Sequence, residues 1–486
     1  MGGIGQLPQQ VTVGSLPDDV LLKIFKFFVD AIVNFYYAPE QWRTLVHICR
    51  RWRNLAFTSP RHLNLLLLCK PPWRSVDILE NMLDIWPELP IYLLGWDHPG
   101  QEAIDDVVAV LKLNHRVSRI HLKKTSRLAW ETFAPLMQHP FPALTYLWVE
   151  PYVPIQNEIS SSFLGGSAPC LQDLLLAGFP FPALPELLLS APNLIHLRYQ
   201  HIPPSGYISP EAIVTSLSAL TRLESLSLTF LPPEDLPDRA IRISPPHMRT
   251  LLPALTYLRY QGVPGYMEDL VAQIDAPLLE GMVITLFHQE VLEVSQLAKF
   301  VRRADKLSFL DRAQVTCDDD DISVTLSQEF LVERVDPKTL ELTPACREQD
   351  MWLSYLAQFC ASCLPTLSPF ESLHILDSYN FTWAWEDVID PDPDPKWLEL
   401  LCLFNTVKDL RLQKFVASRV AQALRWLPAE RITEVLPALE NIFISGHEPF
   451  GPVMEVISEF AHARQLSGQP VSIYYQEGRG FIKVGS

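Results

Sequence analysis

A short pattern of apolar residues, L-x-x-L-x-L, recurs along most of this chain and limits how it can fold. Clear copies begin at Leu144, Leu171, Leu194, Leu223, Leu255 and Leu279. Weaker copies begin at Val117, Leu307, Leu373, Val407 and Leu439. Successive starts from Val117 to Leu307 lie 23 to 32 residues apart. A period of this length is typical of arrays in which each repeat supplies one strand and one helix.

Proline supports the same register. In six of the eleven copies a proline stands two residues before the first apolar position, although the chain has only 42 prolines in 486 residues. These residues are Pro142, Pro169, Pro192, Pro253, Pro277 and Pro437. Proline ends a preceding helix and biases the residue before it towards extended geometry. It therefore marks the helix-to-strand turn in each repeat.

Helical segments are expected between several of the strands. Ser209-Pro210-Glu211 is a good helix start, and apolar residues at helical spacing follow it, as they do over 267–274 and 297–304. One strand and one helix cannot bury their apolar sides alone, so neighbouring repeats must stack. The pattern predicts an α/β fold, a curved solenoid with the strands on its concave side. The pattern resembles leucine-rich repeats. We describe these repeats as divergent because the copies lack a regular Asn after the second pair of leucines.

The N-terminal segment predicts a small helical module. Ser15, Pro17 and the acidic pair at Asp18 and Asp19 suit the start of a helix. The apolar face of this helix would comprise Val20, Leu21, Ile24, Phe25 and Phe28. A second helix is expected from about Gln41 to Ala56. Its apolar side would comprise Leu45, Ile48, Cys49, Trp52 and Leu55.

These segments resemble an F-box. Residues 16–25 (LPDDVLLKIF) are similar to its opening, residues 46–56 (VHICRRWRNLA) to its second half, and residues 59–63 (SPRHL) to its exit. The stretch from Asp30 to Gln41 is several residues longer than in a short F-box. The repeats resemble those that follow F-boxes in fungal proteins.

The resemblance implies a Skp-type adaptor as partner and, through it, a cullin. The chain would be the substrate-recognition subunit of a Skp-cullin-F-box type E3 ubiquitin ligase, and the repeats would bind a protein substrate. Residues carried over as the adaptor surface are Leu16, Pro17, Val20, Leu21, Ile24, Phe25, Cys49 and Trp52. The alternative is that some apolar residues only hold the helices together, namely Leu21, Phe28, Leu45, Cys49 and Leu55.

Side chains on the repeat strands are candidates for contacting the substrate. They are Tyr146, Trp148, His196, Tyr199, Arg259 and Tyr260. Tyrosine, tryptophan and arginine are favoured binding anchors. For Trp148, Tyr199 and Tyr260, however, the pattern favours a place in the core between the strands and helices, and the surface is the alternative.

Sequence gives little sign of catalysis. Cys360 and Cys363 form a CxxC motif without a second ligand pair nearby, which favours a buried structural pair over zinc. The run from Asp318 to Asp321 lacks the spacing of a calcium loop. No nucleotide-binding, hydrolase or metalloprotease motif occurs. We therefore expect no enzyme activity, no cofactor and no metal site.

Bulk properties narrow the partners and the location. The net charge is −17 and no long basic stripe occurs, so nucleic acid is an unexpected partner. The uncharged run from Met351 to Phe370 has helical periodicity with polar residues, which favours an amphipathic helix over a membrane span. Without a visible secretory signal, a cytoplasmic or nuclear protein is expected.

The predicted organisation has three parts. Residues 1–14 form a flexible start, residues 15–65 the F-box, and residues 66–486 a leucine-rich-repeat-like recognition domain with irregular loops near 311–350 and 386–397. Two other functions stay open: a binding scaffold acting outside ubiquitin transfer, and an enzyme with an unrecognised site.

Overall fold

The computed structural model describes most of the chain. The described residues are 13–33, 42–59, 62–63, 65–70, 89–95, 101–232, 249–287, 294–317, 322–328, 338–345, 349–363, 370–377, 396–446, 451–478 and 480–484. They fall into two compact units. The first unit comprises Met1–Ile155 and Ile159–Gly178, and the second comprises Gln156–Glu158 and Phe179–Ser486. The division therefore lies inside the repeat array and differs from the border expected near residue 65.

The first unit contains the N-terminal helices and the first repeats. Its helices are α1 (Asp18–Val33), α2 (Arg43–Ile48), α3 (Arg50–Thr58), α4 (Gln101–Leu111) and α5 (Arg127–Phe133). Its strands are β1 (Leu67–Cys69), β2 (Ile91–Gly95), β3 (Val117–Thr125), β4 (Tyr146–Pro151) and β5 (Asp173–Ala177). Each strand pairs in parallel with the next along the chain.

The helical module differs from its prediction in two details. Ser15 lies in a 3-10 turn, Val13–Ser15, and α1 begins only at Asp18, three residues later. The single helix expected over 41–56 is two helices. Cys49 separates them with extended backbone at φ −157° and ψ 169°. Of the flexible start, residues 1–12 lie outside the described part of the chain.

The second unit contains the remaining repeats. Its helices are α6 (Leu184–Leu189), α7 (Pro210–Leu217), α8 (Pro264–Gln273), α9 (Ser295–Arg303), α10 (Gln349–Cys363), α11 (Lys396–Cys402), α12 (Lys414–Arg425) and α13 (Pro452–Leu466). The first strands are β6 (His196–Ile202), β7 (Ser225–Phe230), β8 (Thr250–Leu251), β9 (Tyr257–Gly262), β10 (Ile274–Asp275) and β11 (Gly281–Phe287).

The later strands are β12 (Arg312–Cys317), β13 (Ile322–Ser327), β14 (Leu340–Ala345), β15 (Ser372–Asp377), β16 (Asp409–Gln413), β17 (Asn441–Ser445), β18 (Ser472–Glu477) and β19 (Gly480–Lys483). The expected helices over 213–220, 267–274 and 297–304 are confirmed as α7, α8 and α9. The predicted cap is also present, because Ser209 accepts a hydrogen bond from the Ala212 N–H at 3.3 Å.

Parallel pairing places equivalent repeat positions side by side. β6, β7, β9 and β11 pair in that order, and Leu197, Leu226, Leu258 and Met282 form one row across them. All four side chains are fully buried. β15 to β18 repeat this arrangement, with β19 antiparallel to β18. A small separate pair joins β8 and β10 in parallel.

The region 311–350 corrects the prediction of an irregular loop. β12, β13 and β14 lie there, and β13 pairs antiparallel with both of its neighbours. β14 pairs in parallel with β11, and β12 pairs in parallel with β15. The physical reason is a strict alternation of apolar and polar residues over 322–327 (ISVTLS), a period of two that favours a strand. The Asp318–Asp321 run lies outside the described residues.

Two weak repeat copies were placed three residues from their true register. β12 buries Ala313 and Val315, so the apolar position that opens its motif is Leu310, not Leu307. β15 buries Leu373 and Ile375, so its motif opens at Phe370. The error arises because L-x-x-L repeats itself every three residues. Of the loop expected near 386–397, residues 386–395 lie outside the described residues and Lys396 begins α11.

A threonine after the first apolar position links several repeats. Thr145 Oγ1 donates to the Ser118 carbonyl at 3.0 Å, 27 residues earlier. Thr256 Oγ1 donates to the Glu224 carbonyl at 3.1 Å. Each of these carbonyls also accepts a backbone N–H of the following repeat, so the hydroxyl adds a second hydrogen bond at the same junction.

Helices α8 and α9 are joined at both ends by side chains. The buried Glu268 carboxylate of α8 accepts from the Gln296 and Leu297 N–H groups, both at 2.8 Å, and so caps α9. Arg303, at the end of α9, donates to the Val271 and Ile274 carbonyls at 3.3 Å. The Glu268 carboxylate thus lies at the positive end of the α9 dipole, and the Arg303 guanidinium lies at the negative end of the α8 dipole.

Arg464 makes a comparable junction near the C-terminus. It lies on α13, its side chain is completely buried, and it donates to four carbonyls at 3.2 to 3.3 Å. The acceptors belong to Ile432, Val435, Leu436 and Pro437. The guanidinium therefore joins α13 to the turn at 432–437 through four hydrogen bonds.

We expect Glu268→Ala to lower the free energy of unfolding by about 1–2 kcal/mol, because the first N–H groups of α9 lose their acceptor. Glu268→Gln keeps one acceptor oxygen and should cost less. Urea-induced unfolding followed by circular dichroism measures both. Glu459→Ala, at an exposed position on α13, is the matched control. Equal effects of Glu268→Ala and Glu459→Ala would contradict the cap.

Arg464→Met should lower the free energy of unfolding by about 3 kcal/mol, since four carbonyls lose the guanidinium donor while the methionine fills much of the same volume. The urea midpoint of the full chain is the readout. Arg425→Met removes the same charge from an exposed site at the end of α12 and should leave the midpoint almost unchanged. A stable Arg464→Met variant would show that other donors serve these carbonyls.

Candidate protein-binding surfaces

Helix α1 carries two apolar stripes rather than one. Leu21, Phe25 and Val29, four residues apart, are buried against the other helices. Beside them, Ile24, Phe27 and Phe28 have 44%, 80% and 36% of their surface exposed. We call these three residues the outer stripe of α1. One apolar stripe is enough to pack a helix against the core of a small module. A second stripe that stays exposed therefore indicates a binding surface.

Arg51 brings the two halves of the helical module together. Its side chain donates to the Leu16 carbonyl at 2.6 Å and to Asp18 Oδ1 at 3.0 Å. Trp52 contacts Phe25 with 4.7 Å between ring centroids. The Leu16-Pro17 opening and the start of α3, which follows Cys49, therefore lie at the same end of the module.

The eight candidate adaptor residues divide by exposure. Pro17, Ile24 and Cys49 are exposed; Leu16, Val20 and Trp52 are half-buried; Leu21 and Phe25 are fully buried. The last two are corrected here to core residues, because packing between helices leaves them no surface. Two exposed apolar residues, Phe27 and Phe57, were missed from the sequence, although each lies off the expected apolar stripes. Ile48, which was expected on the apolar side of the second helix, is exposed as well.

In the first unit, Arg119 sits between aromatic rings on the face of the strands opposite the leucine rows. Its Cζ lies 5.0 Å from the Tyr146 ring centroid and 5.6 Å from that of Tyr92. These residues share one row across β2, β3 and β4. Tyr146 is buried at 8% exposure, so it contributes little surface of its own.

The next row along the same strands pairs His121 with Trp148. Their rings are stacked, 4.5 Å apart and 10° from parallel. Trp148 is half-buried and donates through Nε1 to Glu150 Oε2 at 3.1 Å. Burial, assisted by the nearby Lys123 charge, lowers the pKa of His121 to about 4. His121 is therefore a neutral stacking partner at neutral pH.

Tyr199 and Tyr260 are corrected from the candidate surface to the core. They are 1% and 0% exposed, in the same row as Leu228. Tyr199 Oη donates to the Phe179 carbonyl and accepts from the Phe181 N–H, both at 2.9 Å. Tyr260 Oη donates to the Val263 carbonyl at 2.9 Å. Burial raises the pKa of both hydroxyls. The physical reason is strand alternation, which turns these positions inward beside the leucines.

His196 and Arg259 lie on the outward face of β6 and β9, where His196 is half-buried and Arg259 exposed. Further along, sequence analysis missed a cluster around Arg411. Its Cζ lies 4.7 Å from the Phe443 ring centroid, and Phe443 stacks on Tyr474 at 4.9 Å. Burial, with the nearby Arg411 and Arg312 charges, lowers the pKa of the neighbouring His374 to about 3.

Within the described residues there is no group of three or more potential metal ligands. A cavity of about 10 Å³, lined mainly by apolar side chains of β11, β14 and α10, has room for about one water molecule. Cys360 is a buried cysteine, and the side chain of Cys363 is not among those that the structure describes. None of the helices in the described ranges is both long and apolar enough to span a bilayer.

Comparison with known proteins adds little. No protein-family model matches the chain, and no curated protein matches it. Among solved structures, the leucine-rich repeat-containing protein LegL7 from Legionella pneumophila is similar over 72% of this chain and 98% of its own, at 14% identity and a TM-score of 0.27. A similarity this low establishes neither family nor function.

The strand register itself defines the class of the protein. Parallel strands with buried rows at a leucine-repeat spacing make a leucine-rich-repeat-like α/β array in each unit. Threonine hydrogen bonds reinforce the backbone pairing at two of the junctions. The first unit adds three N-terminal helices to its repeats.

The lowered His121 pKa predicts a pH-dependent stability. As the pH falls, His121 of the unfolded chain, with an ordinary pKa near 6.5, takes up a proton before His121 of the folded chain does. The stability that neutral His121 contributes is therefore complete above pH 6.5 and is lost as the pH falls towards 4. Between pH 7 and pH 5 the loss should be about 2 kcal/mol.

Urea midpoints at the two pH values, compared between the wild type and His121→Gln, isolate this contribution from that of the carboxylates. His115→Gln, at an exposed position of the same unit, should behave like the wild type. An unchanged pH dependence in His121→Gln would contradict the assigned shift.

Proposed function

We propose that this protein is a substrate receptor whose N-terminal helices form an F-box. They dock a Skp-type adaptor that recruits a cullin, while the repeats bind a protein substrate. The observation that carries the proposal is the outer stripe of α1, Ile24, Phe27 and Phe28, on the helix whose sequence resembles the opening of an F-box.

The energetics favour a protein partner for this stripe. Burying a large apolar side chain stabilises a complex by roughly 1.5–3 kcal/mol, and aromatic residues are favoured at the centre of interfaces. Pro17 and Cys49, which are also exposed, lie at the end of the module where Arg51 joins α1 to α3. A partner covering this end would meet both halves of the F-box-like sequence.

The repeats supply the substrate side of the proposal. Their outward strand faces combine arginine with aromatic residues, which are enriched in protein interfaces. The receptor would perform no bond chemistry itself. Its contribution would be proximity, since it holds the substrate near a ubiquitin-conjugating enzyme.

Phe27→Asp and Ile24→Asp should each weaken binding of a purified Skp-type adaptor by at least about tenfold, because a charge replaces apolar surface at the contact. Leu128→Asp is the matched control, since Leu128 is 63% exposed on α5 of the same unit. Calorimetry measures binding, and circular dichroism checks that each variant is folded. Leu16→Ala with Pro17→Ala tests the opening segment in the same way.

Three outcomes separate the hypotheses. Adaptor binding that Phe27→Asp weakens and Leu128→Asp does not supports the F-box. Adaptor recovered from cells without a cullin supports a scaffold that acts outside ubiquitin transfer. Failure of the wild-type protein to bind any Skp-type adaptor would overturn the proposal.

A further inference from the structure

Strand β19 lies at an edge of the sheet in the second unit. It runs antiparallel to β18, which is the only one of the described strands that pairs with it. All four of its residues are exposed, including Phe481 and Ile482 at 37% and 43%. An edge strand presents unpaired N–H and C=O groups along one side, so another strand can be added there. β19 is therefore a candidate site for a partner in extended conformation.

The backbone groups of β19 alternate between its two sides. The Val484 N–H donates to the Ile473 carbonyl of β18 at 2.9 Å. In an antiparallel pair every second residue bonds to the neighbouring strand, so Ile482 also turns its N–H and C=O towards β18. Phe481 and Lys483 turn theirs away from β18. The two N–H groups and two carbonyls of Phe481 and Lys483 form what we call the free edge of β19.

The side chains of β19 alternate between the two faces of the sheet. The Phe481 ring lies on the outward face, because its centroid is 5.3 Å from that of Phe443 and 5.7 Å from the Arg411 Cζ. Lys483, two residues further on, shares that face, and Ile482 between them lies on the opposite one. The contacts with Phe443 and Arg411 hold the Phe481 ring before a partner arrives, which lowers the entropic cost of binding.

Few features of β19 protect this edge against pairing. Natural edge strands are often blocked by proline, by β-bulges or by lysine. β19 contains no proline, its register with β18 has no bulge, and it places Phe481 next to Ile482. Its one charged residue is Lys483, which forms no ion pair with any residue that the structure describes. A lysine disfavours a basic residue opposite it and favours an acidic one.

The size of the free edge indicates what kind of partner fits it. The strand has four residues and is about 13 Å long. Such an edge is too short for the roughly 1,200 Å² that a stable interface between two folded proteins buries, which argues against a second copy of this chain. A short extended segment, in contrast, needs only a few main-chain hydrogen bonds and two or three facing side chains.

We propose that the free edge of β19 binds an extended segment of the protein substrate as an added antiparallel strand. An acidic residue of the segment lies opposite Lys483, and apolar residues lie opposite Ile482 and Phe481. Main-chain hydrogen bonds supply the affinity, and the facing side chains supply the specificity. This inference rests on the proposed function only in that the repeats bind a protein substrate.

The test uses the full chain and a fluorescein-labelled ten-residue peptide that carries Glu-Val-Phe between Ser and Thr residues, with fluorescence polarisation as the readout. A peptide with Lys for Glu should bind about tenfold more weakly. Methylation of the Glu backbone nitrogen removes a donor to the free edge and should also weaken binding about tenfold. Methylation of the Val backbone nitrogen should change binding little, because that N–H points away from β19.

Lys483→Pro tests the same edge from the protein side. It removes an N–H that points away from β18, so the pairing with β18 is kept while peptide binding falls about tenfold or more. Lys483→Gln keeps that N–H, loses only the charge and should fall between Lys483→Pro and the wild type. Lys299→Gln, at an exposed position on α9, should bind like the wild type. Circular dichroism checks that each variant is folded.

Three results would overturn the proposal. The first is an equal loss of binding from the two methylated peptides. The second is peptide binding that is absent in the wild type or unchanged in Lys483→Pro. The third is a dimer of the full chain, seen by analytical ultracentrifugation, that Lys483→Pro dissociates, because the free edge would then belong to a second copy.

A separate measurement keeps this failure distinct from failure of the receptor hypothesis. Adaptor binding depends on the outer stripe of α1, so Lys483→Pro should bind a Skp-type adaptor as the wild type does. Loss of peptide discrimination with intact adaptor binding would overturn only the β19 site. Failure of the wild type to bind an adaptor would overturn the F-box and leave the peptide result standing.

Discussion

No single repeat of this protein can bury its own apolar strand residues, and the rest of the structure depends on that constraint. Leu197, Leu226 and Leu258 are fully buried because each strand lies in parallel register between its neighbours. The same register brings the other side of each strand into rows, and those rows form the candidate surfaces. Core and binding face are thus two consequences of one alternation along the chain.

Between the repeats, polar side chains complete what apolar stacking leaves unsatisfied. Glu268 and Arg303 join opposite ends of α8 and α9, and Arg464 closes a turn through four carbonyls. Thr145 and Thr256 add a second hydrogen bond to carbonyls beside the strands. The contacts of Glu268, Arg303 and Arg464 lie within the layer of helices and turns and do not use the outward strand residues. This separation suits a recognition domain whose partners are set by surface side chains.

The sequence predicted the repeat class well and individual side chains unevenly. Period, proline positions and helix starts such as Ser209 are local signals, so α7, α8 and α9 followed from them. The antiparallel insertion of β12 to β14 could not be predicted from local signals, because its strands pair with β11 and β15 across a break in the repeat. Burial on α1 could not be predicted from the sequence either. Phe25 and Ile24 are both apolar residues of this helix, and only packing decides that Phe25 is buried and Ile24 exposed.

Sequence alone determined that this chain folds as strand-and-helix repeats behind a short helical segment, because apolar periodicity and proline punctuation act over a few residues. Tertiary structure decided which side chains face outward. It turned Tyr199 and Tyr260 into hydrogen-bonded core residues and left Arg259 exposed on β9. The reason is that exposure depends on register between strands about thirty residues apart, and no local pattern fixes that register to within a single residue.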